Sequence, residues 1–351
     1  MSPTDDYWAI FGEDGLVTSL KQVLEYKYLG LETFSSIFRT CAAKQKKCIA
    51  TAKRYMYACL YLGRSGSDLV RVSMATWENV AVPSILFGCD SILFSESRIA
   101  ELECVQSRVA KRILGVSKNT ANICAQTEIG FKPIRLLLCL QQLNFYFRVL
   151  RLPNSRWVKV ALLEHLAGSW VSPYLAYICN LRTAVSLHDE PPTLLFLRKH
   201  MFQWALWRTN IFFNNISLPC LEPLQSFKKE WYVCPSQHLA TIASFKLANA
   251  GLGNKCPLPG KARMVSCPRC PVPVPNNEEH LLFVCPSVQR TRVETGLDSF
   301  RTQCILRGFS TTKMFVLFVN GKDLSDDRLP LRDYFERGAA MSAMRKAWLG
   351  D

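Results

Sequence analysis

The chain has 351 residues, 49% of them hydrophobic, and a formal net charge of +15. That length supports more than one hydrophobic core, and the composition excludes an intrinsically disordered chain. The positive excess points to a polyanionic partner, nucleic acid most simply, because neutralising phosphates releases their condensed counterions.

The opening MSPTDDYWAI lacks the basic, apolar, small-residue order of a signal peptide. Trp8 to Phe11 and the Val17 to Leu31 region read as strands, with Glu13-Asp14-Gly15 as a hairpin turn between them. Residues 37 to 60 follow as an amphipathic helix, since Phe38, Cys41, Cys48, Ala52, Met56 and Cys59 recur at three- and four-residue steps. On its opposite face Arg39, Lys46 and Lys53 repeat every seven residues, and Lys47 with Arg54 repeat one position on. No acid occurs between Glu32 and Asp68, so these rows fit a phosphate track as well as an ordinary solvated face.

Gly63 and the run from Arg64 to Ser67 stop that helix, and a shorter one follows at about Asp68 to Val80, ending before Pro83. Ser97 is then expected to cap a helix with Ile99, Leu102, Val105, Val109 and Ile113 on its core face. Glu101 and Glu103 stand near its start, Arg108, Lys111 and Arg112 near its end, and Gly115 closes it. Pro133 to Leu150 reads as a core helix; Gln141, Gln142, Asn144 and Arg148 break it as a membrane span. A second acid-free stretch, Phe131 to Leu163, carries Lys132, Arg135, Arg148, Arg151, Arg156 and Lys159. Aromatic residues crowd Leu194 to Phe213 and read as packing, with base stacking as the alternative. Met314 to Val319 reads as a strand, and the Pro-rich stretches at 191–192 and 257–275 read as joints.

The segment richest in chemistry is Cys267-Pro268-Arg269-Cys270, nine residues, His280, four residues, Cys285. Three thiolates and an imidazole make a complete tetrahedral set for Zn²⁺, with the Cys-x-x-Cys pair as its gripping half. The intervening prolines and asparagines cannot easily continue a helix, which leaves the loop free to wrap a metal. A redox Cys-x-x-Cys needs a helix starting at its second cysteine, whereas Pro271, Pro273 and Pro275 follow here. Catalytic signatures are missing: His165, His188, His200, His238 and His280 are scattered, and Asp5-Asp6 and Asp326-Asp327 sit in turn-like contexts. An intracellular protein without membrane contact, in nucleus or cytoplasm, is expected, with its 15 cysteines reduced.

Several stretches, taken in order, resemble the region after the polymerase core of LINE-type (non-LTR) retrotransposon reverse transcriptases. These are Tyr26-Lys-Tyr-Leu-Gly30, Pro83-Ser-Ile-Leu-Phe-Gly88, Leu102-Glu-x-x-Gln106-x-Arg108-x-x-x-Arg112-Ile-Leu-Gly115 and Glu128-Ile-Gly130-x-x-Pro133. The cluster from Cys267 to Cys285, with Glu278 before His280 and Pro286 after Cys285, is similar to the carboxy-terminal knuckle of the same polyproteins. The resemblance implies a mainly α fold: a palm-edge hairpin remnant at 1–33, a thumb-like helical region at 34–165, a helical connector at 166–255, a zinc knuckle at 256–292 and a mixed helical tail at 293–351. It also implies contact with RNA or DNA, which agrees with the independently read basic rows of Arg39, Lys46, Lys53, Lys47 and Arg54; Arg108, Lys111 and Arg112 are expected in the same nucleic-acid interface. The family's polymerase holds two Mg²⁺ ions on strand-borne aspartates upstream of the tyrosine-leucine-glycine motif, and no matching pair precedes Tyr26. The expectation is therefore a noncatalytic nucleic-acid-binding chain, a carboxy-terminal half without its polymerase core. The alternatives are a zinc-stapled helical scaffold for protein partners and a nonfunctional retroelement product.

Overall fold

The computed structural model describes residues 7–11, 17–21, 25–28, 31–34, 37–65, 69–160, 239–247, 266–271, 273–274, 276–320 and 334–350. Over these the fold is mainly helical. The aromatic segment 194–213, both acidic pairs, every histidine except His280 and most of the expected connector lie outside the described residues.

Two antiparallel hairpins open the chain. Strand β1 (Tyr7–Phe11) pairs with β2 (Val17–Lys21) in a register running from Tyr7 opposite Lys21 to Phe11 opposite Val17. Strand β3 (Glu25–Tyr28) pairs with β4 (Leu31–Phe34), so the Val17 to Leu31 region is divided between hairpins rather than forming one strand. Helix α1 (Ile37–Ser65) then runs five residues past the expected end, through Gly63 and Arg64. Cys41, Cys48, Ile49, Ala52, Met56 and Cys59 are buried along it, as the periodicity requires. Phe38 is a correction: it stands in the first turn, 67% exposed, ahead of the packed part of the helix. Lys44 is buried on the apolar side instead and donates to the Phe87 carbonyl.

The chain returns through α2 (Leu69–Thr76), a π-helical turn (Trp77–Ala81) and α3 (Val82–Leu86). Pro83 was expected to follow a helix end, but here the helical path continues through it. A proline ring clashes with the carbonyl four residues back. The π turn widens the coil at that point, with the Val82 N–H reaching the Trp77 carbonyl. Trp77 is fully buried there; its ring faces Phe131 at 6.3 Å and its Nε1–H donates to Gln106 Oε1 at 3.2 Å.

Helix α4 (Glu96–Ile113) starts two residues earlier than expected, with Ser95 rather than Ser97 at the N-cap. Ser95 and Ser97 hydroxyls instead meet each other at 3.2 Å. Gly115, at φ 65°, closes the helix while the Val116 N–H returns to the Lys111 carbonyl. All five expected apolar positions are buried. Beside them runs a second, polar stripe. Glu103 Oε1 accepts from the Arg135 N–H at 2.9 Å, and so caps α6 (Ile134–Leu150) from another helix, because Pro133 at its N-cap has no side-chain acceptor. Gln106 Nε2 donates to the Lys132 carbonyl at 3.0 Å. Gln126 of α5 (Asn122–Ile129) donates to Ser107 Oγ at 2.7 Å and to Glu103 Oε2 at 3.0 Å. Lys111 Nζ donates to Asn122 Oδ1 at 2.7 Å and to the Lys118 carbonyl at 3.0 Å.

The glutamines that interrupt α6 have a structural role. Gln141 Nε2 donates to the Leu86 carbonyl at 3.0 Å and Gln142 Nε2 to the Ile92 carbonyl at 2.7 Å. They bond carbonyls at the end of α3 and in the irregular segment after it. No helix among the described residues is long and apolar enough to cross a membrane.

A second core gathers the rest. It contains α8 (Glu278–Phe283), α9 (Gln289–Glu294), α10 (Leu297–Leu306), α11 (Thr311–Asn320) and α12 (Tyr334–Leu349). The expected boundary at 292 falls inside α9, and Cys267, Cys285 and the buried residues of α8 share one core with α10, α11 and α12. Met314 to Val319, expected as a strand, lies in α11: Met314, Phe315, Phe318 and Val319 are buried at helical spacing, which a short apolar run does not distinguish from a strand. Helix α7 (Leu239–Lys246) stands between the cores, with Ala243 and the following Leu247 packed in the first and Ile242 and Phe245 in the second. Lys246 Nζ meets Glu128 Oε1 at 2.8 Å there, with both side chains largely buried.

Trp77→Ala should lower the unfolding free energy by about 3–5 kcal/mol, the cost of emptying a large buried aromatic site. Trp77→Phe should cost less, losing chiefly the Gln106 hydrogen bond; urea denaturation of the two variants measures the difference.

Candidate metal centre

Cys267, Cys270, His280 and Cys285 come together, and their four donor atoms all lie within 4.8 Å of one another. The convergence has local causes. The loop after Cys270 folds back so that the Cys267 N–H donates to the Val274 carbonyl at 2.8 Å. Asn277 caps α8, accepting the His280 N–H on Oδ1 at 2.8 Å, and Glu278 and Glu279 occupy the first turn of that helix. One turn on, the Cys285 N–H returns to the His280 carbonyl at 2.8 Å, which fixes the fourth donor to the first helical one.

The spacing suits a small tetrahedral ion. Metal–sulfur bonds of about 2.3 Å set two sulfurs about 3.8 Å apart. Cys270 Sγ lies 4.0 Å from Cys285 Sγ and 3.3 Å from His280 Nε2. Burial, then the hydrogen bond to Cys267 and the adjacent Cys285, push the Cys270 thiol up to about 12. Burial, with Arg292 as a lesser cause, holds His280 below its usual range and keeps the imidazole neutral, the form that ligates. A thiol this reluctant to ionise needs a cation to take the place of its proton.

The surroundings anchor the donors to the second core. Leu281, Leu282 and Phe283 are buried directly behind His280, and Phe283 sits 6.3 Å from Phe300 and 6.0 Å from Phe318. Ser287 Oγ lies 3.1 Å from Cys285 Sγ. Buried Arg292 donates to the Cys285 and Leu282 carbonyls and sets a guanidinium beside a site that becomes negative once its thiols ionise. Arg269, inside the Cys-x-x-Cys turn, lies over the Trp348 ring at 4.9 Å and donates to the Ala347 carbonyl at 3.2 Å. Sequence reasoning missed Asn277, Ser287 and Arg292. Asn277 was visible in principle, as a capping residue followed by two acids; Arg292 gave no local signal.

The expected nucleic-acid residues fall into three groups. Arg39, Lys46, Lys47, Lys53 and Arg54 are all exposed on α1. Lys53 is engaged with Glu101 at 3.0 Å, which also receives Arg98 at 3.0 Å, and Arg54 lies over the Tyr55 ring. Arg108 and Arg112 are exposed on α4. Lys111 is buried, and its ammonium tethers the 118–122 segment instead of standing in solvent.

Asn277→Ala should cost about 1 kcal/mol of stability through the lost cap and loosen His280, while Asn277→Asp should retain both. Thermal unfolding and competition with a chelator measure the two effects. A scan against family models, a search of curated proteins and a search of solved structures each found no match for this chain.

Proposed function

We propose that this protein is a noncatalytic nucleic-acid-binding chain of the LINE reverse-transcriptase type, carrying a zinc knuckle and binding through basic helices. The observation that carries this reading is the exposed α1 face, where five cations stand in two adjacent seven-residue rows along one 29-residue helix. Such a row follows a phosphate backbone, and its affinity comes from counterion release. The resemblance of four stretches to one family supports the same partner. Zinc is the metal that suits three thiolates and one imidazole in a closed tetrahedral set with no open position, and a closed set serves structure rather than catalysis. The hairpins β1–β2 and β3–β4 are read as the edge of a polymerase palm.

The metal is tested by elemental analysis of purified protein, with close to one Zn²⁺ per chain expected. Cys267→Ser combined with Cys285→Ser should abolish it; retention would move the site elsewhere.

Nucleic-acid binding is tested by fluorescence anisotropy at several salt concentrations. Arg39→Glu with Lys46→Glu is the informative pair, because Lys53 is engaged with Glu101 and its reversal would add a local repulsion. The double variant should weaken binding equally for all sequences and lower the log–log salt slope by about one unit per contact removed. Its stability should change by less than about 1 kcal/mol, as is usual for solvent-face substitutions. Unchanged affinity and slope would leave α1 a solvated face and favour the zinc-stapled scaffold.

A further inference from the structure

The basic face of α1 ends at a cleft. Lys47, Arg54 and Tyr61 follow one another at seven-residue steps, and Tyr57 stands one turn before Tyr61. Both tyrosines are exposed, Tyr57 by 62% and Tyr61 by 75%. Tyr57 also forms one wall of a cleft of about 580 Å³ between α1, the end of α4 and the 116–122 segment. Arg108, Arg112 and Lys118 line the same cleft, together with Cys104 and Asn122. No acidic residue lines this cleft, and among the described residues no ion pair engages Arg108, Arg112 or Lys118. Buried Lys111 holds the Lys118 carbonyl and Asn122 from beneath, so the wall is built rather than draped.

We infer that this cleft receives one nucleotide of a single strand, its phosphate among Arg108, Arg112 and Lys118 and its base stacked on Tyr57. The inference rests on the nucleic-acid reading above and adds which form of nucleic acid is bound, and where. A cleft of this size matches a small-molecule pocket and so admits a single nucleotide unit. In a duplex, base faces are covered by their neighbours, and an exposed tyrosine has nothing to stack on. On a single strand each base offers a face, and stacking on an aromatic side chain is sequence-tolerant. Exposed cations on α1 leading to an exposed aromatic, with three further cations lining the same cleft, form the alternation that a single strand of phosphates and bases presents.

The test uses the full chain, a labelled twelve-nucleotide oligouridine that cannot pair with itself, and a blunt RNA duplex of equal length. Tyr57→Ala should weaken oligouridine binding about tenfold or more and leave duplex binding unchanged, whereas Tyr57→Phe should retain both. Arg108→Ala with Arg112→Ala should weaken oligouridine binding and lower its salt slope. Bound oligouridine should also slow alkylation of Cys104, an exposed thiol of the cleft, read by mass spectrometry of its peptide. These side chains are exposed, so unchanged urea midpoints are expected for all three variants.

The inference is overturned if Tyr57→Ala and the arginine pair leave oligouridine affinity unchanged, or if Cys104 alkylates at the same rate with saturating oligouridine. If binding in that case still falls with Arg39→Glu and Lys46→Glu, nucleic-acid binding stands and only its placement in the cleft is lost. If neither oligouridine nor duplex binds the unaltered protein at low salt, both the function and the cleft assignment fall.

Discussion

The buried polar stripe on α4 is the constraint on which the arrangement of the first core depends. Glu103, Gln106, Ser107 and Lys111 recur at three- and four-residue steps, and each is committed to a partner in the chain between Trp77 and Arg135. Buried polar groups are costly when unpaired, so this stripe admits essentially one placement of α5, α6 and the segment between α4 and α5. The consequence reaches the surface. With Lys111 turned inward, Arg108 and Arg112 stay on the solvent side of α4, and the Lys118 backbone is held at the cleft that Tyr57 also lines.

Burial of Glu103 works against its charge and raises its carboxyl above the ordinary range, although the Arg135 backbone N–H and Gln126 oppose that shift. The cost is tolerable because the same carboxylate closes the exposed start of α6. Glu103, Gln106, Gly115, Glu128 and Gly130 are architectural: two tether α4, two end helices in the left-handed region, and Glu128 pairs with Lys246.

Helix α7 makes the two cores mechanical neighbours. Its adjacent faces pack into different clusters, and the Lys246–Glu128 pair lies at their junction. Breaking such a pair by removing one partner leaves a largely buried charge, which costs more than the pair itself contributes. In the second core Cys267 and Cys285 are at once candidate ligands and packed core residues. A metal bound there would therefore couple to packing of the second core.

The sequence by itself determined the helices with clear periodicity, the exposed basic rows of α1 and the four converging donors of the metal cluster. These signals are local or follow from ligand chemistry at short range: alternating burial on one helix, and a Cys-x-x-Cys pair with a turn-forming loop. It misjudged Met314 to Val319 because a short apolar run has no period to read, and it expected an end at Pro83 because nothing local announces a π turn. Only tertiary structure decided that Lys111 and Lys44 turn inward while Arg108 and Arg112 remain outside. The reason is physical. A lysine's direction depends on whether carbonyl or amide oxygens from distant segments wait within reach of its ammonium, and the Phe87 and Lys118 carbonyls with the Asn122 side chain arrive only when the helices pack. The cleft beside Tyr57 exists for the same reason, since its walls come from segments about fifty residues apart in the chain.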